Sequence, residues 1–375
     1  MNILDYLDWR GDLTFAERPF NEVDNLILST LAYLKMDGLV PENPSASVSI
    51  ADLPAKYKAA GYDQTAFFND PYPLAEKAAD TARFKDVRVS RYMSRTETDE
   101  AVQFAAVTFD LGDGTQYVAY RGTDETIVGW REDFNLALLP KTPGQSEAVD
   151  YVNAVAADTA GKLRLGGHSK GGNFAVYAAA FCEEATKKRI LSVYSNDGPG
   201  FLHEIADSEA YKSILPRIQK IIPDSSLIGI LLSGSEPKHV IASAARGVMQ
   251  HNPYTWNILG QHFVAAERRD PFSVFIDETM ARWIETLNDE QKQTLITAIF
   301  DSLEASGVST VNDLKTGNLA TYNAILQAIK KLDPSMQSEV ADAMRKLALA
   351  GRDVLHEEIQ KKLEALIPNN TPELR

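Results

Sequence analysis

The sequence holds one cysteine, Cys182, so no disulfide can form within the chain. That residue falls among alanines, which reads as a buried structural thiol. Without a disulfide framework, the default expectation is a reducing, cytoplasmic setting. Positive charge is also scarce: 38 Lys and Arg stand against 52 Asp and Glu, a formal net charge of −14. With a pI near 5.0, this argues against nucleic acid or an anionic membrane surface as the main partner. No run approaches the roughly 20 apolar residues of a membrane-spanning helix. The opening MNILDYLDWRGDLTF carries acids early and lacks a basic stretch followed by an apolar core, so no secretory signal is expected. Repeats and low-complexity tracts are absent too. What is present is 375 residues, 44% hydrophobic, ample for a buried core. The length suits two or three domains, or one α/β domain enlarged by insertions.

The most informative stretch is Lys162 to Ala180, KLRLGGHSKGGNFAVYAAA. Leu163 and Leu165 alternate as on a half-buried strand. Gly167-His168-Ser169-Lys170-Gly171 matches G-x-S-x-G, the nucleophile elbow, in which a serine sits at the tip of a strained strand-to-helix turn. Glycines two before and two after the serine leave room for that turn, and Gly172 lets the helix start close to the sheet. Phe174, Ala175, Ala178 and Ala179 give the helix a small apolar face. Its N-terminus aims backbone N–H groups at any anion formed near Ser169.

On either side of this stretch the periodicity changes along the chain. Residues 1–20 read as mixed and turn-rich, and 39–70 as connecting structure with short helices. Asn21 caps a helix with Val23, Leu26, Ile27, Leu31 and Leu34 on one face, ended by Asp37-Gly38. Pro71 and Pro73 lead into a second helix. Val87 to Tyr92 and Gln103 to Asp110 read as strands, and the turn at Leu111 to Gly114 leads into Gln116 to Tyr120 as a hairpin. Arg121-Gly122-Thr123 is a loop. Ser146 is expected to cap a helix carrying Ala148, Val149, Val152 and Val155. Beyond the elbow, strands are expected at Ile190 to Tyr194, Arg217 to Ile222 and His239 to Ser243, with a helix around Ser208 to Leu215. Strands alternating with helices imply an α/β fold with a mostly parallel sheet covered on both faces. After about Asp270 the strand pattern stops. Segments 277–286, 289–305, 319–331, 334–349 and 351–366 carry helix-period apolar positions, Leu295 and Ile296 among them. The expected division is an α/β-hydrolase domain over 1–268 and a helical region over 269–375, packed on the core or separate.

A serine at an elbow needs a base, an orienting acid and an oxyanion hole. In α/β-hydrolases the chain order is Ser, acid, His. This leaves His203, His239, His251, His262 and His356. His251, in a loop just after the last strand, is the expected base. The acid should end a strand. Asp224, after the second strand beyond the elbow, is preferred, and Asp197, after the first, is the alternative. The N–H of Lys170 supplies one oxyanion donor, and Thr123, in a loop after an earlier strand, is placed to supply the other. The Lys170 side chain is read as solvated or paired with an acid, with attraction of an anionic substrate as an alternative.

Together these residues resemble the class 3 lipases. Gly167-His168-Ser169-Lys170-Gly171-Gly172 is similar to that family's G-H-S-L-G-G. Tyr120-Arg121-Gly122-Thr123, with Trp130 and Asp133, resembles its F-R-G-[ST] and W-x-x-D pair. The resemblance implies that Thr123 supplies an oxyanion donor and that Asp133 steadies its hydroxyl. More closely, the chain resembles an uncharacterised bacterial family of class-3-lipase-like α/β-hydrolases. That likeness is carried by Asp5-Tyr6, Arg10-Gly11-Asp12, Pro19-Phe20-Asn21, Asn196 to Phe201, and Gln250-His251 with Trp256, and covers roughly residues 3–265. Two departures stand out: Lys170 replaces an apolar residue, and Pro223-Asp224-Ser225-Ser226 lacks the lipases' downstream proline pattern.

The expected function is hydrolysis of an ester or related acyl bond by Ser169, His251 and Asp224, with a small-molecule acyl ester as substrate. A thioesterase or peptidase on the same triad is the enzyme alternative, and a non-catalytic binding protein on a hydrolase fold is the other. No metal or organic cofactor is implied, no protein partner is identified, and no apolar lid that would support triglyceride hydrolysis precedes the elbow.

Overall fold

The structure is a computed structural model that describes residues 1–62, 70–97, 102–123, 127–232, 234–305 and 334–366. It has an α/β-hydrolase fold. Among the described residues, eight strands form one sheet in strict chain order. They are β1 (Val48–Ser49), β2 (Arg88–Glu97), β3 (Val102–Asp110), β4 (Thr115–Tyr120), β5 (Lys162–His168), β6 (Ile190–Asn196), β7 (Ile218–Pro223) and β8 (Lys238–Ile241). Pairing is antiparallel from β1 to β4 and parallel from β4 to β8. A small β9 (Ile258–Leu259) and β10 (His262–Phe263) ladder forms a second sheet, and the chain after β10 bridges β8 at Ile241 and Ala265.

Strict chain order dictates where the helices go. Parallel neighbours are joined by right-handed crossovers, so successive crossovers on consecutive strands fall on the same face. Four helices precede the main run of strands: α1 (Ile3–Arg10), α2 (Glu22–Leu31), α3 (Leu53–Ala59) and α4 (Tyr72–Ala79). Between β4 and β5 come α5 (Ile127–Leu138) and α6 (Pro143–Asp158). Between β5 and β6 come α7 (Lys170–Phe181) and the short α8 (Glu184–Lys187); between β6 and β7 come α9 (His203–Ala206) and α10 (Glu209–Ile214). Crossover helices α6, α7 and α10 share one core with Val118, Tyr120, Leu163, Leu165 and Val193. The opposite face, with Val107, Phe109, Tyr117, Ala119 and Ile221, is buried under α1 to α4. Alternation within β4, Tyr117 and Ala119 to one side and Val118 and Tyr120 to the other, is the period-two pattern of a strand buried on both faces.

A third core holds the C-terminal helices α11 (Pro271–Glu285), α12 (Asp289–Ala305) and α13 (Pro334–Leu366). Leu287, Trp283, Leu295, Ile296 and Ala343 bury themselves there against Leu138 of α5, with Leu202 and Leu232 packed alongside. The Ser273 hydroxyl of α11 donates to the Ser226 carbonyl at 2.6 Å. These helices are therefore packed on the sheet domain at loops that follow β6 and β7. Among the described residues no helix is long and apolar enough to cross a membrane.

Several sequence expectations are corrected. Residues 1–20 contain α1, whose Asn2 cap and Asp5 form a capping box. Residues 127–138, to which the sequence pattern assigned no element, form α5. The cap of α6 is Thr142, reciprocated by Gln145, with Pro143 in the first turn, and not Ser146. Residues 334–366 form one continuous helix that runs through Gly351. The helix expected at 319–331 lies outside the described residues, as does the side chain of Trp130.

Candidate active site

Strand β5 delivers Ser169 to a turn in which its backbone takes φ 58° and ψ −133°. A non-glycine residue there is strained by roughly 1–3 kcal/mol. The two flanking glycines are required by close approach. A Cβ at Gly167 would lie 2.3 Å from the Gly171 carbonyl, and one at Gly171 would lie 2.0 Å from the Tyr120 oxygen. Ser169 N–H donates to the Asn196 carbonyl at 2.9 Å, which ties the elbow to the end of β6. Lys170 opens α7, so its N–H is among the first-turn donors that lack an acceptor within the helix.

His251 ends a short 3₁₀ turn, Gly247–His251. Its Nδ1 lies 2.6 Å from Asp197 Oδ2. A carboxylate only accepts, so Nδ1 carries the proton and Nε2 is the basic nitrogen of the neutral ring. Asp197 immediately follows β6, at φ 50°, and is 1% exposed. Its Oδ1 accepts from the Ser226 hydroxyl and from Gly229 N–H at 3.2 Å.

The structure brings Asp197, and not the preferred Asp224, onto His251. Asp224 Oδ1 instead accepts from Gln250 Nε2 at 2.6 Å. Its backbone N–H donates to Ile241 at 3.0 Å, and its carbonyl accepts from Asp270 at 2.8 Å. Asp224 thus bonds the residue that precedes His251 and fastens the loop that carries it. The left-handed backbone at Asp197, with a backbone bond to Ile221 at 2.8 Å, holds that carboxylate in place.

The structure brings Thr123 and Asp133 together. The Thr123 hydroxyl lies 2.6 Å from each carboxylate oxygen of Asp133. Burial pushes the Asp133 carboxyl up to about 6, opposed by the neighbouring Lys170 charge and the Thr123 hydrogen bond. Lys170 is not solvated. Its ammonium is fully buried and sits 2.7 Å from Glu132 Oε2. That pairing corrects the alternative in which it attracts an anionic substrate.

Sequence reasoning gave no role to His168, which the structure places against His251. Its Nε2 donates to the His251 carbonyl at 2.7 Å, and its Nδ1 accepts from the Tyr33 hydroxyl at 3.1 Å. The two imidazoles lie 4.5 Å apart. Burial, with His251 opposite, lowers the His168 pKa to about 3, so this ring is neutral. The available signal was its place between Gly167 and Ser169, where a side chain on the elbow strand faces inward. Asn196 was also missed. Its amide donates to the Gly167 carbonyl at 3.0 Å, and its carbonyl oxygen accepts from Asn25 at 2.8 Å. The remaining histidines are remote in character: His203, His239 and His262 are exposed beside Glu285 or Glu22, and His356 is exposed on α13.

The model of the Mbeg1-like family matches residues 78–301. No curated protein matches the chain. Solved structures similar to it include the Rhizomucor miehei lipase propeptide complex, 14% identical over 64% of this chain and 81% of that chain, with a TM-score of 0.37. A mutant form of MDLA from Penicillium cyclopium is 14% identical over 64% of this chain and 84% of that one, with a TM-score of 0.35. Lipase II from Rhizopus niveus is 15% identical over 48% and 69%, with a TM-score of 0.28.

Proposed function

The chain belongs to the Mbeg1-like family, and from that premise we propose that it is a lipase-like serine hydrolase cleaving an ester or related acyl bond. The observation that carries the reading is the 2.6 Å contact between His251 Nδ1 and Asp197, made at the same sheet edge as the strained Ser169. Three side chains with these chemistries are what acyl transfer through an acyl-enzyme requires.

Ser169 Oγ attacks the substrate carbonyl while His251 Nε2 takes its proton. Asp197, already bound to Nδ1, stabilises the imidazolium. The backbone N–H groups of Lys170 and Thr123 receive the oxyanion, each donor contributing on the order of 10²- to 10³-fold in rate. Asp133 fixes the Thr123 hydroxyl and with it the orientation of that residue. Collapse of the tetrahedral intermediate breaks the acyl bond, and His251 returns its proton to the leaving alcohol. Water, deprotonated by the same imidazole, then releases the acid and restores Ser169. Asp224 acts outside this chemistry, through Gln250. The setting we propose is cytoplasmic, on the strength of the single buried Cys182.

The test is turnover of p-nitrophenyl acyl esters of increasing chain length beside matched thioesters and anilides. Ester turnover that falls to background in Ser169→Ala, with unchanged cooperative unfolding, is the expected result. Turnover by Ser169→Ala at the wild-type rate would remove the assignment. Faster thioester or anilide turnover would shift the leaving-group class and keep the triad.

A further inference from the structure

Lys170 presents an ion pair directly behind the elbow. Its ammonium donates to Glu132 Oε2 at 2.7 Å, to the Gln103 carbonyl at 2.9 Å and to Gln103 Oε1 at 3.2 Å. All three of its hydrogens are thus accounted for, and both members of the pair are fully buried. Gln103 N–H donates to the same Glu132 oxygen at 3.0 Å, which closes the group onto β3. The Glu132 carboxylate fits because the facing residue of α6 has no side chain: a Cβ at Gly144 would lie 2.1 Å from Oε1.

Burying two opposite charges costs several kcal/mol per ion, and an apolar pair of similar volume is often as stable or more so. Stability is therefore a poor reason for this pair. Its position in the chain supplies a better one. Lys170 is the residue whose own N–H faces the oxyanion. Glu132 immediately precedes Asp133, whose carboxylate holds the Thr123 hydroxyl at 2.6 Å. The two residues assigned as oxyanion donors lie on separate segments, the start of α7 and the loop after β4. The path from one to the other runs through Nζ of Lys170, the carboxylate of Glu132, one peptide unit of α5 and Asp133.

Resting on the serine-hydrolase reading, we propose that Lys170 and Glu132 are positioning residues that lock the two oxyanion donors at a fixed separation. The pair is directional, with charge-assisted hydrogen bonds on both members, whereas an apolar contact would let α5 slide against α7. Neither side chain touches substrate. The Lys170 charge has a second effect in the same sense, since it favours the ionised Asp133 that receives the Thr123 hydroxyl.

The experiment compares wild type, the apolar replacement K170M/E132L and the charge-only change E132Q in the full chain. Readouts are kcat and KM on a p-nitrophenyl ester, the inhibition constant of a trifluoromethyl ketone that forms a tetrahedral adduct with serine, and the melting temperature. The double variant is expected to fold, with kcat about 10- to 100-fold lower, part of the 10²- to 10³-fold of a deleted donor. KM should stay within about twofold, because only the transition state uses the hole, and the ketone should weaken in step with kcat. E132Q keeps the hydrogen bonds and should lie between the two. A folded double variant with wild-type kcat and ketone affinity overturns the inference while leaving the hydrolase intact. If the double variant does not fold, E132Q decides: lower kcat at unchanged melting temperature supports positioning, and lower melting temperature at unchanged kcat overturns it. Absence of Ser169-dependent turnover in wild type removes the hydrolase reading, and this inference with it.

Discussion

Replacing Asp197 by Asn tests the acid with little structural disturbance, and the structure fixes how the new amide must sit. Asp197 Oδ1 receives two donors, the Ser226 hydroxyl and Gly229 N–H. An amide can satisfy both only by turning its oxygen towards them. Its NH₂ group then faces His251 Nδ1, which has to accept and so loses its proton to Nε2. A ring protonated at Nε2 cannot take the proton of Ser169. The loss is one of tautomer, and the same change in a triad of known mechanism costs about 10⁴ in kcat. Asn tolerates the left-handed backbone found at this position, so the fold should persist. The assay is kcat/KM on an activated ester with melting temperature measured alongside. A fall of about 10³- to 10⁴-fold in Asp197→Asn is expected, with Asp224→Asn within about tenfold of wild type since its carboxylate serves Gln250. If Asp224→Asn carried the large loss and Asp197→Asn were nearly silent, the reasoning from geometry would be refuted.

Three further outcomes follow from the same contacts. Ser169→Gly and Ser169→Ala both lack the hydroxyl, so their stability difference isolates backbone strain; Gly should be the more stable by about 1 kcal/mol or more in denaturant titration, and equal stabilities would deny the strain. His168 is buried neutral, with a pKa lowered to about 3 from the ordinary 6.5. The unfolded chain therefore binds the extra proton first, and the contribution is complete above 6.5 and lost as pH falls towards 3. Thermal unfolding of His168→Asn should fall less steeply than wild type between pH 6.5 and 4, and parallel curves would count against that burial. A chain ending at Arg268 should aggregate, because it uncovers Leu138, Leu202 and Leu232 and removes the Ser273 bond to the Ser226 loop; a monomeric, cooperatively unfolding fragment would show instead that 269–375 is an independent unit.

The elbow was legible because its requirement is local. Gly167, Gly171 and the alternating Leu163 and Leu165 announce a tight strand-to-helix turn before any tertiary contact is known. The sheet was legible too, since β3 to β7 alternate or run continuously apolar. The acid was not, because Asp197 and Asp224 both follow strands and only the path of the Gln250-His251 loop decides between them. That path is set by contacts distant in sequence, Gln250 on Asp224 and His168 on the His251 carbonyl. The pairing of Lys170 with Glu132 was hidden for the same reason, since 38 residues separate them. Helix α5 was not legible because its apolar side packs against helices far along the chain. The length of α13 was lost because its apolar positions were read as two segments, 334–349 and 351–366, whereas the helix continues between them and tolerates Gly351.

The central claim is that Ser169 is a nucleophile activated by His251. Its most direct measurement is intact and peptide mass spectrometry after exposure of the folded chain to a fluorophosphonate. A single adduct on Ser169 is expected, formed at least 100-fold more slowly in His251→Ala, in keeping with the about 10²- to 10⁴-fold effect of a positioned base. A chain that stays unlabelled while folded, or one labelled elsewhere at a rate indifferent to His251, would contradict it.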